Sequence, residues 1–318
     1  MHPSRRPVAL LAATVAALAV AIPSTALAKS NVKEYPLAEY AVPADITTGP
    51  DGALWAPDGS LGRLWRVTTK GKVSSIDMGV GTGPVGVAVG RDGALWVTDR
   101  DDKIYRVTTR GQITTYTLPT PDSFPTSIVA GPDGALWFTE FHGNRIGRIT
   151  TSGKVTEYAI PTPDAWAQDI TVGPDGALWF TESATNTVGR ITTSGQVTEY
   201  PLETPASLPG SIVARDGALY FTEGNTNVVS RMNTAGKVTR RYPLPTFDAV
   251  PTGLASTRHG LYVAEHSASA LVPLNPWGWY GREVRTKSSP DAVTLGPDGN
   301  LWYTSGSESK IGRLKLDR

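Results

Sequence analysis

The chain of 318 residues contains no cysteine. That excludes disulfides, thiolate zinc centres and cysteine nucleophiles. Charge of one sign is missing too: 30 Lys and Arg stand against 29 Asp and Glu, a formal net charge of +1. Without a basic field, no nucleic-acid partner is expected. Hydrophobic residues at 40% and charged residues at 19% suit a globular chain rather than a disordered one. Long apolar runs are absent, with one exception. Val8 to Ile22 is nearly all Ala, Leu and Val, but at about 15 residues it falls short of the roughly 20 that span a bilayer. Arg5 and Arg6 precede it and Ala26-Leu27-Ala28 follows it. A basic start, a short apolar stretch and small residues at its end read as a signal peptide over residues 1–28. Cleavage is expected after Ala28. That leaves a secreted, extracytoplasmic domain over residues 29–318 with no transmembrane segment. Ser4-Arg5-Arg6 weakly resembles a twin-arginine signal, so both general secretion and twin-arginine export remain open.

What the chain has in plenty is Gly (33) and Pro (25), the residues of tight turns. They fall in a repeat. Gly49-Pro50-Asp51-Gly52-Ala53-Leu54-Trp55 recurs at Gly90 to Trp96, Gly131 to Trp137 and Gly173 to Trp179, with weaker copies ending at Tyr220, Tyr262 and Trp302. The aromatic positions are spaced 41, 41, 42, 41, 42 and 40 residues apart. Each copy reads as four short strands. In the third these are Ser127 to Ala130, Ala135 to Glu140, Asn144 to Thr150 and Lys154 to Ile160. Asp and Gly supply the turns between them. Four strands per period of about 41 residues predict an all-β, seven-bladed propeller. The last copy stops after its third strand, at Lys310 to Asp317, and the missing fourth sits at the other end as Val32 to Leu37. That strand is expected to complete the last blade and close the ring, removing two free sheet edges.

Most repeated residues read as structural. Trp55, Trp96, Trp137, Trp179, Tyr220, Tyr262 and Trp302 form one column, expected to pack between blades. Asp51, Asp92, Asp133, Asp175, Asp216 and Asp298 read as turn residues. Arg66, Arg106, Arg148, Arg190, Arg231 and Arg313 form a third-strand column, expected to pair with the acidic residues that end the second strand.

Function is expected where the repeats differ, at the channel mouth. Ala44, Val85, Thr126, Gln168, Gly210, Thr252 and Asp291 open the first strands, and Asp58, Asp99, Glu140, Glu182, Glu223, Glu265 and Ser305 close the second strands. Both sets are expected to converge on that mouth. Just ahead of the first set, Phe124, Trp166, Leu208 and Val250 predict an apolar arc. A concave mouth with apolar walls and a few polar groups suits a small molecule. The candidate ligand-binding residues are therefore Phe124, Thr126, Trp166, Gln168, Leu208, Val250, Thr252, Glu140, Glu182 and Glu223. Loop packing alone explains the arc equally well. Of the three histidines beyond residue 28, His259 falls in a turn on the far side. His142 and His266 follow mouth-side carboxylates. Glu265, His266 and Asp291 can approach across the boundary of the last two blades, and a histidine oriented by a carboxylate is a general base. A solvated loop histidine is the simpler alternative. Trp277-Gly278-Trp279-Tyr280 breaks the repeat and reads as a partner-binding patch or a repacked hairpin.

Gly173 to Glu182, Asn186 to Thr192 and Gly195 to Tyr200, with Pro161-Thr162-Pro163 ahead of them, resemble the repeat of the virginiamycin B lyase family. The resemblance covers nearly all of residues 31–318 and implies the same seven-bladed fold. It also implies metal-assisted elimination on cyclic streptogramin B antibiotics, and hence a divalent cation, Mg²⁺. The family's functional positions fall at Ala44, Thr252, Asp291 and Ser305-Gly306, and none carries the family's Tyr, His or Glu. A scaffold does not specify an activity. The favoured expectation is thus a monomeric binding propeller for a small apolar, aromatic or peptide-like ligand. The alternative is a carbon–oxygen lyase or lactonase-like enzyme with a site moved to Glu265, His266 and Asp291. In the lactonase-like case Asp45, Asp58, Asp99 and Asp169 are candidate cation ligands.

Overall fold

The computed structural model describes residues 31–275 and 280–316. The signal-peptide reading, and Trp277 to Trp279 of the irregular segment, lie outside these residues. The described chain forms seven four-stranded antiparallel sheets; six run in sequence order from an inner to an outer strand, and in the last the N-terminal strand is outermost. This is the expected propeller. Blade 3 is typical: Pro125–Ala130, Leu136–Glu140, Arg145–Ile149 and Val155–Ala159. The ring closes as expected, because Val32–Pro36 pairs antiparallel with Lys310–Leu314 in the register Val32↔Leu314 to Pro36↔Lys310. Closure leaves the last blade with no missing outer strand.

The core lies between blades. Trp137 of blade 3 is fully buried among Ile170, Leu178, Phe180 and Ile191 of blade 4, and Trp302 of the last blade packs with Leu54 and Ala56 of the first. Each buried aromatic removes a large apolar area from water, about 1.5–3 kcal/mol per side chain. The stacking is tight enough to demand glycine where a turn meets the neighbouring tyrosine. At Gly153 (φ 91°) an added Cβ would lie 2.1 Å from the Tyr116 ring.

The arginine column has a different partner from the one expected. Arg66, Arg106, Arg148 and Arg190 each place Nε 2.6–2.7 Å from the turn aspartates Asp51, Asp92, Asp133 and Asp175. The other carboxylate oxygen accepts the indole N–H of the column tryptophan, as from Trp137 Nε1 to Asp133 Oδ1 at 3.1 Å. Register explains the difference. Trp137 stands directly opposite Arg148, whereas Glu140 stands opposite Arg145. The arginine therefore leaves the strand at the tryptophan's level, beside the turn. In blade 5 Tyr220 replaces the tryptophan and its hydroxyl accepts from Arg231 Nε at 3.2 Å. Tyr280, at the edge of the irregular segment, packs against a core cluster and donates its hydroxyl to Tyr242 O at 2.9 Å.

Candidate functional site

The inner strands surround a cavity of about 460 Å³ along the channel. Its wall includes Ala44, Val85, Thr126, Gln168, Thr252 and Asp291, six of the seven residues predicted to open the inner strands. In blade 5 the wall residue is Ser211, next to Gly210. The second predicted set is placed elsewhere. Asp58, Asp99, Glu140, Glu182, Glu223, Glu265 and Ser305 are all buried, and none lines the cavity. Only innermost strands border the channel, so side chains of the second strands enter the packing between blades. Glu140, Glu182 and Glu223 thus lie apart from the cavity wall, and Phe124, Trp166, Leu208 and Val250, two residues ahead of the inner-strand openings, are not among the lining residues either; of these, Trp166, Leu208 and Val250 are exposed.

The buried acids are chemically uneven. Asp58 accepts Trp65 Nε1 at 2.8 Å. Glu223 pairs with Arg241 at 2.8 Å and also accepts the Ser230 hydroxyl. Among the described residues Glu140 and Glu182 form no such ion pair, although the charge of Arg145 partly offsets the burial of Glu140. Burial, with Glu157 and Glu199 respectively close by, pushes each carboxyl up to about 8. Burial also raises Glu265, with Glu283 adding to it.

Across the boundary of the last two blades, His266 and Asp291 meet: Nδ1 and Oδ1 are 2.8 Å apart. The loop after the strand Gly260–Glu265 presents His266, whose backbone N–H bonds Val250 O at 3.2 Å. Asp291 precedes the inner strand Val293–Leu295. Its second oxygen accepts the Gly306 N–H at 2.8 Å, and its carbonyl accepts the Thr252 hydroxyl at 2.9 Å. Two bonds to the carboxylate and one to the backbone carbonyl therefore fix Asp291 at the cavity wall. An ionised carboxylate only accepts, so His266 donates from Nδ1 and keeps the Nε2 lone pair free of that bond. Both side chains remain about one-third exposed. Glu265, the third predicted member, sits in the buried acidic column instead. Of the other histidines, His142 contacts the Phe124 ring at 4.7 Å, and His259 accepts from Arg258 Nε at 2.8 Å.

The residues present do not assemble a Mg²⁺ site. Among the described residues, no three His, Asp or Glu side chains come together as cation ligands. Each oxygen of Asp291 already accepts a hydrogen bond. In the channel, Asp45 accepts Ile46 N and Val87 N, and Asp169 accepts Ser127 Oγ, Ile170 N and Ile212 N. These bonds tie neighbouring blades together. Burial, opposed by the two backbone bonds and reinforced by Asp169, pushes Asp45 up to about 6. Asp58 and Asp99 lie outside the cavity.

One set of residues escaped the sequence reading. Asp102, Asn144, Asn186 and Asn227 all adopt the left-handed conformation, with φ of 53–58°. Each side chain accepts backbone N–H groups of the next blade's incoming loop. Asp102 takes Asp122, Ser123 and Phe124 N. Asn144 takes Ala165 N, Asn186 takes Ser207 N and Asn227 takes Ala249 N. Their recurrence just before the third strand was the available signal. Asn and Asp tolerate this conformation and bond locally to backbone.

The description of the virginiamycin B lyase family matches residues 78–318. Among solved structures, a streptogramin B lyase is 31% identical, covering 90% of this chain and 97% of its own, with a TM-score of 0.85. Selenomethionine-substituted virginiamycin B lyase from Staphylococcus aureus is 33% identical over 90% of this chain and 99% of its own, with a TM-score of 0.83. A catalytically inactive histidine-to-alanine variant of that Staphylococcus aureus enzyme, solved with quinupristin, is 34% identical over the same shares, with a TM-score of 0.84. No curated protein sequence matches at a significant level. The blade architecture, the family match and the identity across nine-tenths of the chain agree: this protein belongs to the virginiamycin B lyase family.

Proposed function

We propose that this protein opens an ester in a small cyclic, peptide-like substrate by carbon–oxygen elimination at the channel mouth, and does so outside the cytoplasm as a monomer. The observation that carries the reading is the 2.8 Å contact between His266 Nδ1 and Asp291 Oδ1 at the cavity wall. Asp291 holds the imidazole in the tautomer whose Nε2 accepts a proton. His266 takes the proton from the carbon next to the C–O carbon. The C–H electron pair becomes the new double bond, and the C–O pair leaves with the carboxylate. The histidine-dependent Staphylococcus aureus relative solved with quinupristin supports the substrate class. The signal-peptide pattern of residues 1–28 supports export.

The test is incubation of purified protein with quinupristin, followed by chromatography and mass spectrometry. Elimination gives a ring-opened product of unchanged mass, whereas hydrolysis adds one water. Turnover by the wild type and its loss in His266→Ala are expected. A second reading, binding without turnover, is favoured by the absence of the family's residue types at Ala44, Thr252, Asp291 and Ser305. Quinupristin bound but left intact by the wild type would decide for it.

A further inference from the structure

The mouth is uneven around its circumference. On the side of blades 3 and 4, rings lie in contact at the surface: Phe124 with His142 (4.7 Å between centroids), His142 with Phe141 (5.2 Å), and Phe141 stacked on Trp166 (5.5 Å, 28° between planes). The Arg100 guanidinium covers Phe124 at 5.5 Å. The repeated aromatic pairs of the blades, such as Trp137 with Tyr158, have a buried tryptophan. Trp166 is 47% exposed.

The backbone beneath this layer is also unusual. Phe124, Trp166, Leu208 and Val250 have φ of 53°, 53°, 57° and 51°. Large and β-branched side chains avoid that region, and such strain persists only where surroundings enforce it. The enforcement is visible. The loops that carry these four residues are the ones held by Asp102, Asn144, Asn186 and Asn227. Four clamps therefore present four apolar side chains at the rim of blades 3 to 6, and ordering the rim in advance lowers the entropic cost of binding there.

We propose that the layer of Phe124, Phe141 and Trp166 is a subsite for an aromatic group of the substrate that carries no negative charge. This deepens, and rests on, the reading of the mouth as a ligand site. Two observations select the occupant. The layer lies within two residues of the cavity wall along the chain, since Thr126 and Gln168, just beyond Phe124 and Trp166, line that wall. The wall also carries the carboxylates of Asp45, Asp169 and Asp291, with no lysine or arginine among its described residues; these three outnumber the one cation at the layer, Arg100 over Phe124, and disfavour an anion. An aromatic face stacked offset on Trp166 contributes about 0.5–1.5 kcal/mol beyond its buried area.

The experiment uses two independent probes on purified wild type, Trp166→Ala, Phe141→Leu and His266→Ala, each checked by thermal melting. Ligand-observed saturation-transfer NMR with N-acetyltryptophanamide is expected to show contact with wild type and His266→Ala and at least a fivefold weaker signal with Trp166→Ala. N-acetyltryptophan, an anion, and N-acetylleucinamide are expected to bind at least fivefold more weakly than the aryl amide. With quinupristin, Trp166→Ala and Phe141→Leu are expected to raise KM about tenfold with kcat within twofold, whereas His266→Ala lowers kcat. An aryl-amide signal that is absent, or unchanged in a folded Trp166→Ala protein, overturns the subsite. Aryl-amide binding lost in Trp166→Ala while quinupristin is neither bound nor opened by wild type supports the subsite and overturns the lyase reading alone.

Discussion

Glu34 on the closing strand and Lys310 on the strand it joins are 3.0 Å apart, Oε2 to Nζ. The other oxygen of Glu34 accepts Lys287 N, Ser288 Oγ and the Tyr303 hydroxyl, each at 3.0 Å. One carboxylate thus joins the N-terminal strand to three segments near the chain's other end. Burial opposes its ionisation, but the bonds from Lys310, Ser288 and Tyr303 outweigh that, and its affinity for protons is held below the ordinary value.

Removing this carboxylate should therefore loosen the closure. Glu34→Ala leaves Ser288 and Tyr303, both buried, without their acceptor. A loss of about 2–4 kcal/mol is expected, because buried groups deprived of a charged partner keep their desolvation cost. Urea denaturation measures it, and limited proteolysis should cut first near residues 31–37. A change below about 0.5 kcal/mol, the ordinary range for surface substitutions, would mean that the latch contributes nothing.

The turn aspartates should matter more than their arginines. Asp133 accepts Ala135 N, Trp137 Nε1 and Arg148 Nε, so its loss orphans a buried indole N–H as well as an ion pair. Asp133→Ala is expected to cost about 1–2 kcal/mol. Arg148→Ala removes a partly exposed pair and should cost less than about 1 kcal/mol. Equal losses on thermal or chemical unfolding would contradict the turn's assigned role.

Stability should fall as pH rises. Glu140 and Glu182 are pushed up to about 8 in the folded chain from the ordinary 4.5. Between those values the native state holds protons that the unfolded chain has released. Their favourable contribution is complete below the unfolded value, declines through the window and is gone above the folded one. Each group accounts for a slope of at most about 1.4 kcal/mol per pH unit. Unfolding free energies across pH 5 to 9 should show the decline, and Glu140→Gln should flatten its share. A wild-type profile no steeper than that of Glu140→Gln would refute the assignment.

Much of this was legible in the chain. The spacing of Trp55, Trp96 and Trp137 and the matching Val32 to Leu37 segment carried blade number and ring closure, because repeats and strand ends are one-dimensional properties. His266 and Asp291 were foreseeable for the same reason, since both fall at mouth ends of adjoining blades. The partners of the arginines were not, because they depend on hairpin register: Trp137 faces Arg148, three residues from Glu140. The acidic column was misplaced because alternation along a strand reveals which side chains share a face but not which strand borders the channel. The left-handed backbone of Phe124, Trp166, Leu208 and Val250 was hidden most completely. Their side chains give no sign of it, and only the Asn and Asp residues one blade earlier did.

The last prediction concerns whether His266 and Asp291 act as one unit. Asp291 is tied to Gly306 N as well as to the imidazole, so Asp291→Asn should keep its position while losing the charge that selects the Nδ1–H tautomer. With quinupristin as substrate, kcat is expected to fall by about 10²–10⁴, the usual contribution of an oriented general base. KM should stay nearly constant, because the rim of blades 3 to 6 is untouched. His266→Ala should lose at least as much. The double variant should be no slower than His266→Ala alone, since Asp291 has no role once the imidazole is gone. Losses that multiply in the double variant would show two independent groups, and the carboxylate would then have to act on the substrate directly rather than through the histidine.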